Sequence, residues 1–275
     1  MPFIKSDQKG SESINLYYED LGEGKTIVFI HGWPLSGSMW EYQVTELANK
    51  GYRCITYDRR GFGKSERPFK KYDYDTLAGD LNSLISELKL EDITLVGFSM
   101  GGGEIAKYFS LYEGAKVSKV VLVSAVVPYM LKTDDNPDGV PQEQFDLMVK
   151  GMKNDRPAFM KELGKTFFGV SLVHHPVSDE FLADNFTKVM DASPIATLEC
   201  AKSFSSTDFR SDVVKINVPT LIIHGNEDKT VPIEPTGNQS VELIKGSRLV
   251  IYEGAPHGLW YTERERLNQD LIEFI

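Results

Sequence analysis

Cysteine is scarce. Only Cys54 and Cys200 occur in 275 residues. Each falls in an apolar, strand-like or helix-like run without a metal-type partner at short spacing, so both read as small core residues. Long apolar runs are missing, and none approaches a membrane span. The opening Met1-Pro2-Phe3-Ile4-Lys5-Ser6 is too short and turns polar too soon for a secretory signal. With so little cysteine, the expected location is the cytoplasm. Positive charge is also in deficit: 30 Lys and Arg stand against 40 Asp and Glu, a formal net charge of −10. The deficit is spread along the chain, and no basic patch offers itself to nucleic acid or to an anionic membrane. No cluster of His, Cys, Asp and Glu has metal-ligand spacing, and no Gly-x-Gly-x-x-Gly follows a strand. Neither a metal nor a dinucleotide is therefore expected, and no other cofactor. Internal repeats and low-complexity segments are absent.

What is present suits a large globular fold. Hydrophobic residues make up 41% and charged residues 25%. A chain of this size buries roughly 70–75% of its unfolded surface, enough for one large domain or a domain with an insertion. Residues 1–20 read as two short antiparallel strands. Thr26–Ile30 is apolar almost throughout, as a strand covered on both faces should be. A Gly/Pro/Ser loop follows, and Ser38 is the expected N-cap of a helix over Met39–Lys50 that closes at Gly51. Arg53–Tyr57 is the next strand. Leu77, Leu81, Leu84, Ile85 and Leu88 mark one face of a helix. Further strands are expected at Ile93–Val96, Val120–Ser124, 219–224 and Arg248–Tyr252, with a last helix near Thr262–Phe274. Strand and helix alternate from residue 26 to 125, which gives a mostly parallel, eight-stranded sheet with helices on both faces. Residues 126–211 break that rhythm with recurrent proline and helical patterns around Phe145, Met148 and Met152, then Phe159, Met160 and Leu163. The expected division is a core of residues 1–125 and 212–275 with a helical cap of residues 126–211.

The chemistry centres on Gly97-Phe98-Ser99-Met100-Gly101, between a buried strand and a helix. A strand that turns at once into a helix needs a tight corner, and the flanking glycines permit it. Such a corner presents the Ser99 hydroxyl at the positive end of a helix. A serine needs a base, and the base needs a carboxylate to orient it. Five histidines are available. His174 and His175 fall in the cap. His31, His224 and His257 all follow strands, where functional groups gather in a parallel sheet. The Gly/Pro-rich loop around His257 favours that residue. The carboxylate comes from His224-Gly225-Asn226-Glu227-Asp228, where Glu227 and Asp228 compete, with Asp228 preferred. Ser99, Asp228, His257 is the nucleophile–acid–histidine order of the α/β-hydrolase fold.

Within that fold the chain resembles the cofactor-free haloperoxidase, aryl-esterase and perhydrolase family. The marks are His31-Gly32-Trp33-Pro34-Leu35-Ser36, Asp58-Arg59-Arg60-Gly61, Gly97 to Gly103 around Ser99, Thr207-Asp208-Phe209 and Pro256-His257-Gly258. The resemblance implies Asp228 as the acid, the third residue after the strand-end glycine. It implies backbone N–H groups of Trp33 and Met100 as the oxyanion hole. It also implies that Pro34 turns the Trp33 carbonyl toward the site, favouring hydrogen peroxide over water. A cis Trp33–Pro34 bond is compatible with this. Pro34, Val126, Met130, Phe167, Phe204 and Ile233 are the implied pocket residues. The expected function is hydrolysis of small carboxylic or aryl esters through an acyl-enzyme, with peracid formation from carboxylic acid and hydrogen peroxide and cofactor-free oxidation of bromide. The expected partners are small esters, carboxylic acids or lactones, with peroxide and halide; a homo-oligomer is compatible. A lactonase or γ-lactamase would use the same triad, and a slow ligand receptor on a hydrolase fold is the reading from another class. Dehalogenase and epoxide-hydrolase chemistry is excluded, because Ser99 stands where those enzymes carry Asp.

Overall fold

The computed structural model describes residues 2–8 and 12–275. Eight strands form one sheet: β1 (Phe3–Ser6), β2 (Ile14–Leu21), β3 (Lys25–Ile30), β4 (Tyr52–Tyr57), β5 (Ile93–Phe98), β6 (Val117–Val123), β7 (Thr220–Gly225) and β8 (Arg248–Tyr252). Their spatial order is β1-β2-β4-β3-β5-β6-β7-β8. β1 pairs antiparallel with β2, and β2 with β4; every later pairing is parallel. The two strands expected within residues 1–20 are β1 and β2; the part of that expectation on residues 1 and 9–11 lies outside the described residues. β5 and β7 are buried at every position, which is why their sequences are continuous apolar runs rather than alternating ones. β8 lies at the edge, with Ile251 exposed.

Helices α1 (Glu41–Asn49), α2 (Tyr74–Glu87) and α3 (Met100–Tyr112) fill the crossovers up to β6. α2 begins where Asp73 accepts the Thr76 N–H at 2.9 Å, and its leucine face is buried. Ser38 does not cap α1. A 3-10 turn over Gly37–Trp40 comes first, and the Ser38 hydroxyl meets Ser36 at 2.9 Å. The donor at the head of that turn, the Gly37 N–H, is taken by Asp58 (2.7 Å), a side chain from a different loop.

Between β6 and β7 the chain forms α4 (Gln142–Phe167), α5 (Asp179–Asp191), α6 (Pro194–Ser206) and the short α7 (Arg210–Val213). α4 is two helical rods that meet at Asp155 (φ −150°, ψ 86°). Asp155 caps the second rod by accepting the Ala158 N–H at 3.0 Å, and Pro157 sits in that rod's first turn, where its missing N–H costs nothing. This is why the sequence shows two helical patterns here. α8 (Gln239–Leu243), α9 (Leu259–Thr262) and α10 (Arg264–Phe274) complete the chain. Among the described residues no helix is long and apolar enough to cross a membrane.

Candidate active site

The corner between β5 and α3 is as tight as its glycines suggest. Ser99 has φ 53° and ψ −117°, a region that side-chain-bearing residues rarely occupy. A Cβ on Gly101 would lie 2.6 Å from the Ile30 carbonyl oxygen, so only glycine lets α3 pass this close to β3. The Ser99 N–H donates to Val123 (2.9 Å), and its carbonyl accepts the Val126 N–H (3.2 Å). Both bonds tie the corner to the end of β6. The hydroxyl is thereby held at the head of a 13-residue helix, where the helix dipole is positive.

The β7 and β8 ends bring the other two groups to it. His257 Nε2 lies 3.0 Å from Ser99 Oγ, and His257 Nδ1 lies 2.6 Å from Asp228 Oδ2. With Asp228 ionised, Nδ1–H is the donor, which leaves Nε2 to accept the serine proton. The other carboxylate oxygen accepts the Thr230 and Val231 N–H groups at 2.9 and 2.8 Å. Burial alone would raise the Asp228 carboxyl. The His257 imidazole, its hydrogen bond and the nearby His224 ring outweigh it and hold Asp228 well below the usual carboxylate range. Glu227 is exposed and stands apart. His224 is not at Ser99. Its Nε2–H donates to the Val231 carbonyl (2.8 Å) and lies 3.5 Å from Asp228 Oδ2. This backing of the acid by a second histidine is not legible from sequence spacing. His174 and His175 are exposed.

His31 anchors the loop after β3. Its Nε2 accepts the Arg59 N–H (2.9 Å), so its proton is on Nδ1, which donates to the Gly32 carbonyl (2.8 Å). The Leu35 N–H donates to the same carbonyl at 3.0 Å. In a planar trans peptide the carbonyl and the following N–H point opposite ways. Fixing the Gly32 carbonyl therefore fixes the Trp33 N–H, and no group among the described residues takes a hydrogen bond from it. The loop lies against the corner: a Cβ on Gly32 would lie 3.2 Å from Ser99 Cβ. The Arg59 guanidinium donates to the His31 carbonyl (2.7 Å) and pairs with Glu104 on α3, which also accepts from Tyr57. Arg59 and Glu104 are both fully buried, so this ion pair fastens the loop to the helix that carries Ser99. The Arg59 half of the fastening sits in the Asp58–Gly61 motif; its partner, Glu104, carries no sequence signal.

Of the expected pocket residues, Phe167 stacks edge-on against the His257 ring (4.6 Å between centroids), and Phe204 stands edge-on to Trp33 (5.4 Å). Trp33 also donates its indole N–H to Thr197 on α6 (2.9 Å). Val126 adjoins Ser99 through its N–H. Pro34, joined to Trp33 by a cis peptide bond, lines a small cavity with Phe167, Met160 and Val189. Met130 and Ile233 are buried. Burial pushes the Cys54 and Cys200 thiols up to about 12, as inert core residues.

A family model described as the alpha/beta hydrolase fold matches residues 25–263. Among curated proteins, a non-heme chloroperoxidase of Kitasatospora aureofaciens is 40% identical, covering 96% of this chain and 97% of its own. A bifunctional esterase/perhydrolase of Acinetobacter calcoaceticus is 37% identical, again covering 96% and 97%. Among solved structures, a bromoperoxidase from Bacillus anthracis superposes with a TM-score of 0.94 at 47% identity, covering 99% of this chain and 98% of the other.

Proposed function

The chain belongs to the α/β-hydrolase fold family, and from that membership and the site geometry we propose a serine hydrolase of small carboxylic esters that also performs cofactor-free perhydrolysis. The carrying observation is the continuous hydrogen-bonded chain from Ser99 through His257 to Asp228, at 3.0 and 2.6 Å. Ser99 Oγ attacks the ester carbonyl carbon as its proton passes to His257 Nε2. Asp228 holds the imidazole in the correct tautomer and offsets its charge. The N–H groups of Trp33 and Met100 bind the oxygen that becomes negative. His257 then returns the proton to the leaving alcohol, or to the departing hydroxyl when a free acid is the substrate. The acyl-enzyme is opened by water to give the acid, or by hydrogen peroxide to give the peracid. The peracid oxidises halide without further help from the protein. Pro34, next to the Trp33 donor, is the residue we assign to the balance between the two nucleophiles. α4, α5 and α6 serve as the cap over the site.

The test compares ester hydrolysis with peracid formation, side by side, in the native protein and in Ser99→Ala. Both rates fall together, by about 10⁴-fold or more. Survival of halide oxidation in Ser99→Ala overturns the mechanism.

A further inference from the structure

The base of the triad is held by more than its two hydrogen bonds. Asp228 takes Nδ1 of His257 and Ser99 takes Nε2, and ring nitrogens bond in the plane of the ring. Carbon lies against the ring itself. Phe98, the residue before the nucleophile, has its centroid 4.8 Å from that of the imidazole, with the planes inclined at 37°. Rings set side by side need roughly 6 Å or more, since carbon atoms meet near 3.5 Å. At the observed distance Phe98 therefore turns its face to the imidazole. Phe167 stands at 4.6 Å and 86°. Its centroid is 6.0 Å from that of Phe98, so the two phenyl rings sit nearly at a right angle about His257 and cover different sides of it.

Phe98 is not free to turn away. Its side chain is fully buried. Trp40 stands edge-on to it at 6.3 Å. On the side of the loop after β3, a Cβ on Gly32 would lie 2.5 Å from Phe98 Cδ1, so glycine leaves the room the ring occupies. Strand packing asks only for some apolar side chain at the end of β5. The Gly-x-Ser-x-Gly motif asks for no particular residue at this position. A phenyl face laid on the base is more specific than either requirement.

In the reaction that imidazole becomes a cation. His257 is 1% exposed, so water does little to solvate the charge. Asp228 offsets it from the Nδ1 side. Behind Asp228 stands His224, 3.5 Å from Oδ2. Glu227 and Lys229, on either side of Asp228 in the chain, are exposed. Among the described residues no carboxylate other than Asp228 forms an ion pair with His257. The face of a phenyl ring carries the negative part of its quadrupole and attracts a cation within about 6 Å of its centroid. The attraction is stronger where water is excluded.

We propose that Phe98 is a positioning residue for the base: its ring face fixes the plane of His257 and stabilises the imidazolium that forms as Ser99 gives up its proton. The proposal rests on the hydrolase reading above.

The experiment replaces Phe98 by 4-fluoro-, 3,5-difluoro- and 3,4,5-trifluorophenylalanine. Each fluorine draws charge from the ring face with little change in size. The kcat for p-nitrophenyl acetate falls stepwise along the series, by about three- to tenfold at three fluorines, with KM little changed. The acid limb of the kcat/KM profile against pH moves to lower pH in the same order, because a poorer ring face holds the proton on His257 less well. Phe98→Leu has no ring face and loses about five- to thirtyfold in kcat. If Phe98→Leu loses activity while the three fluorinated proteins match the native one, the ring only fills space and the proposal falls. It falls equally if kcat drops along the series while the acid limb stays in place. A native protein that hydrolyses no ester at any pH refutes the hydrolase reading itself, and the proposal with it.

Discussion

Taking the pH from 8 to 5.5 costs the native protein about 1.4 kcal/mol more stability than it costs His31→Gln. His31 is fully buried, its Nε2 is occupied by the Arg59 N–H, and the Arg59 guanidinium is close by. Burial first, and the Arg59 charge second, hold the imidazole well below its ordinary value, with the bond to Gly32 opposing them. The sign follows from where the proton goes. In the unfolded chain His31 takes a proton below about pH 6.5, whereas the folded imidazole stays neutral. The unfolded state therefore binds more protons in acid, and stability falls as pH falls. At one unit below the ordinary value the linkage amounts to RT ln(1 + 10), or about 1.4 kcal/mol; above pH 7.5 it is close to zero. The assay is urea unfolding of both proteins at the two pH values. Gln keeps an acceptor for the Arg59 N–H, and subtracting the two proteins cancels every group they share. Asp228 is one such group: its depressed pKa also favours the fold at neutral pH and loses that effect only in much stronger acid. A stability gap between native and variant that is the same at pH 8 and 5.5 would refute the neutral, wedged His31.

Two further outcomes are expected. Asp228→Asn keeps the fold, shown by an unchanged circular dichroism spectrum, but lowers kcat for ester hydrolysis by roughly 10⁴-fold with little change in KM, because His257 loses its tautomer; a loss under tenfold would remove Asp228 from the role given it. Arg59→Met leaves Glu104 charged and unpaired in the core and costs about 3–5 kcal/mol in urea unfolding, whereas Arg59→Met with Glu104→Leu recovers most of it. Additive losses in the double variant would mean the two residues do not act as a pair.

The strands were legible because burial on both faces writes itself as an unbroken apolar run, as in Thr26–Ile30 and in β5 around Leu95 and Val96. Ser99 was legible because a corner this tight demands glycine on either side. Between Glu227 and Asp228, spacing did not decide and family resemblance chose; in the structure Asp228 faces His257 and Glu227 faces solvent. What stayed hidden are contacts between residues far apart in the chain. Glu104 looks like any surface residue of a helix until Arg59 and Tyr57, more than forty positions earlier, are folded onto it. The misplaced cap at Ser38 has a local origin: a 3-10 turn over Gly37–Trp40 precedes the helix, so Ser38 lies inside that turn rather than at a helix head.

The backbone at Ser99, φ 53° and ψ −117°, carries a consequence for descent. A non-glycine residue held in such a region costs about 1–3 kcal/mol. Glycine would sit there without strain, so selection for a stable fold and selection for a working nucleophile pull this codon in opposite directions. Under the proposed mechanism, only the reaction keeps serine in place. In a lineage that no longer used the chemistry, this corner would be among the first to drift, and it would drift toward a firmer protein.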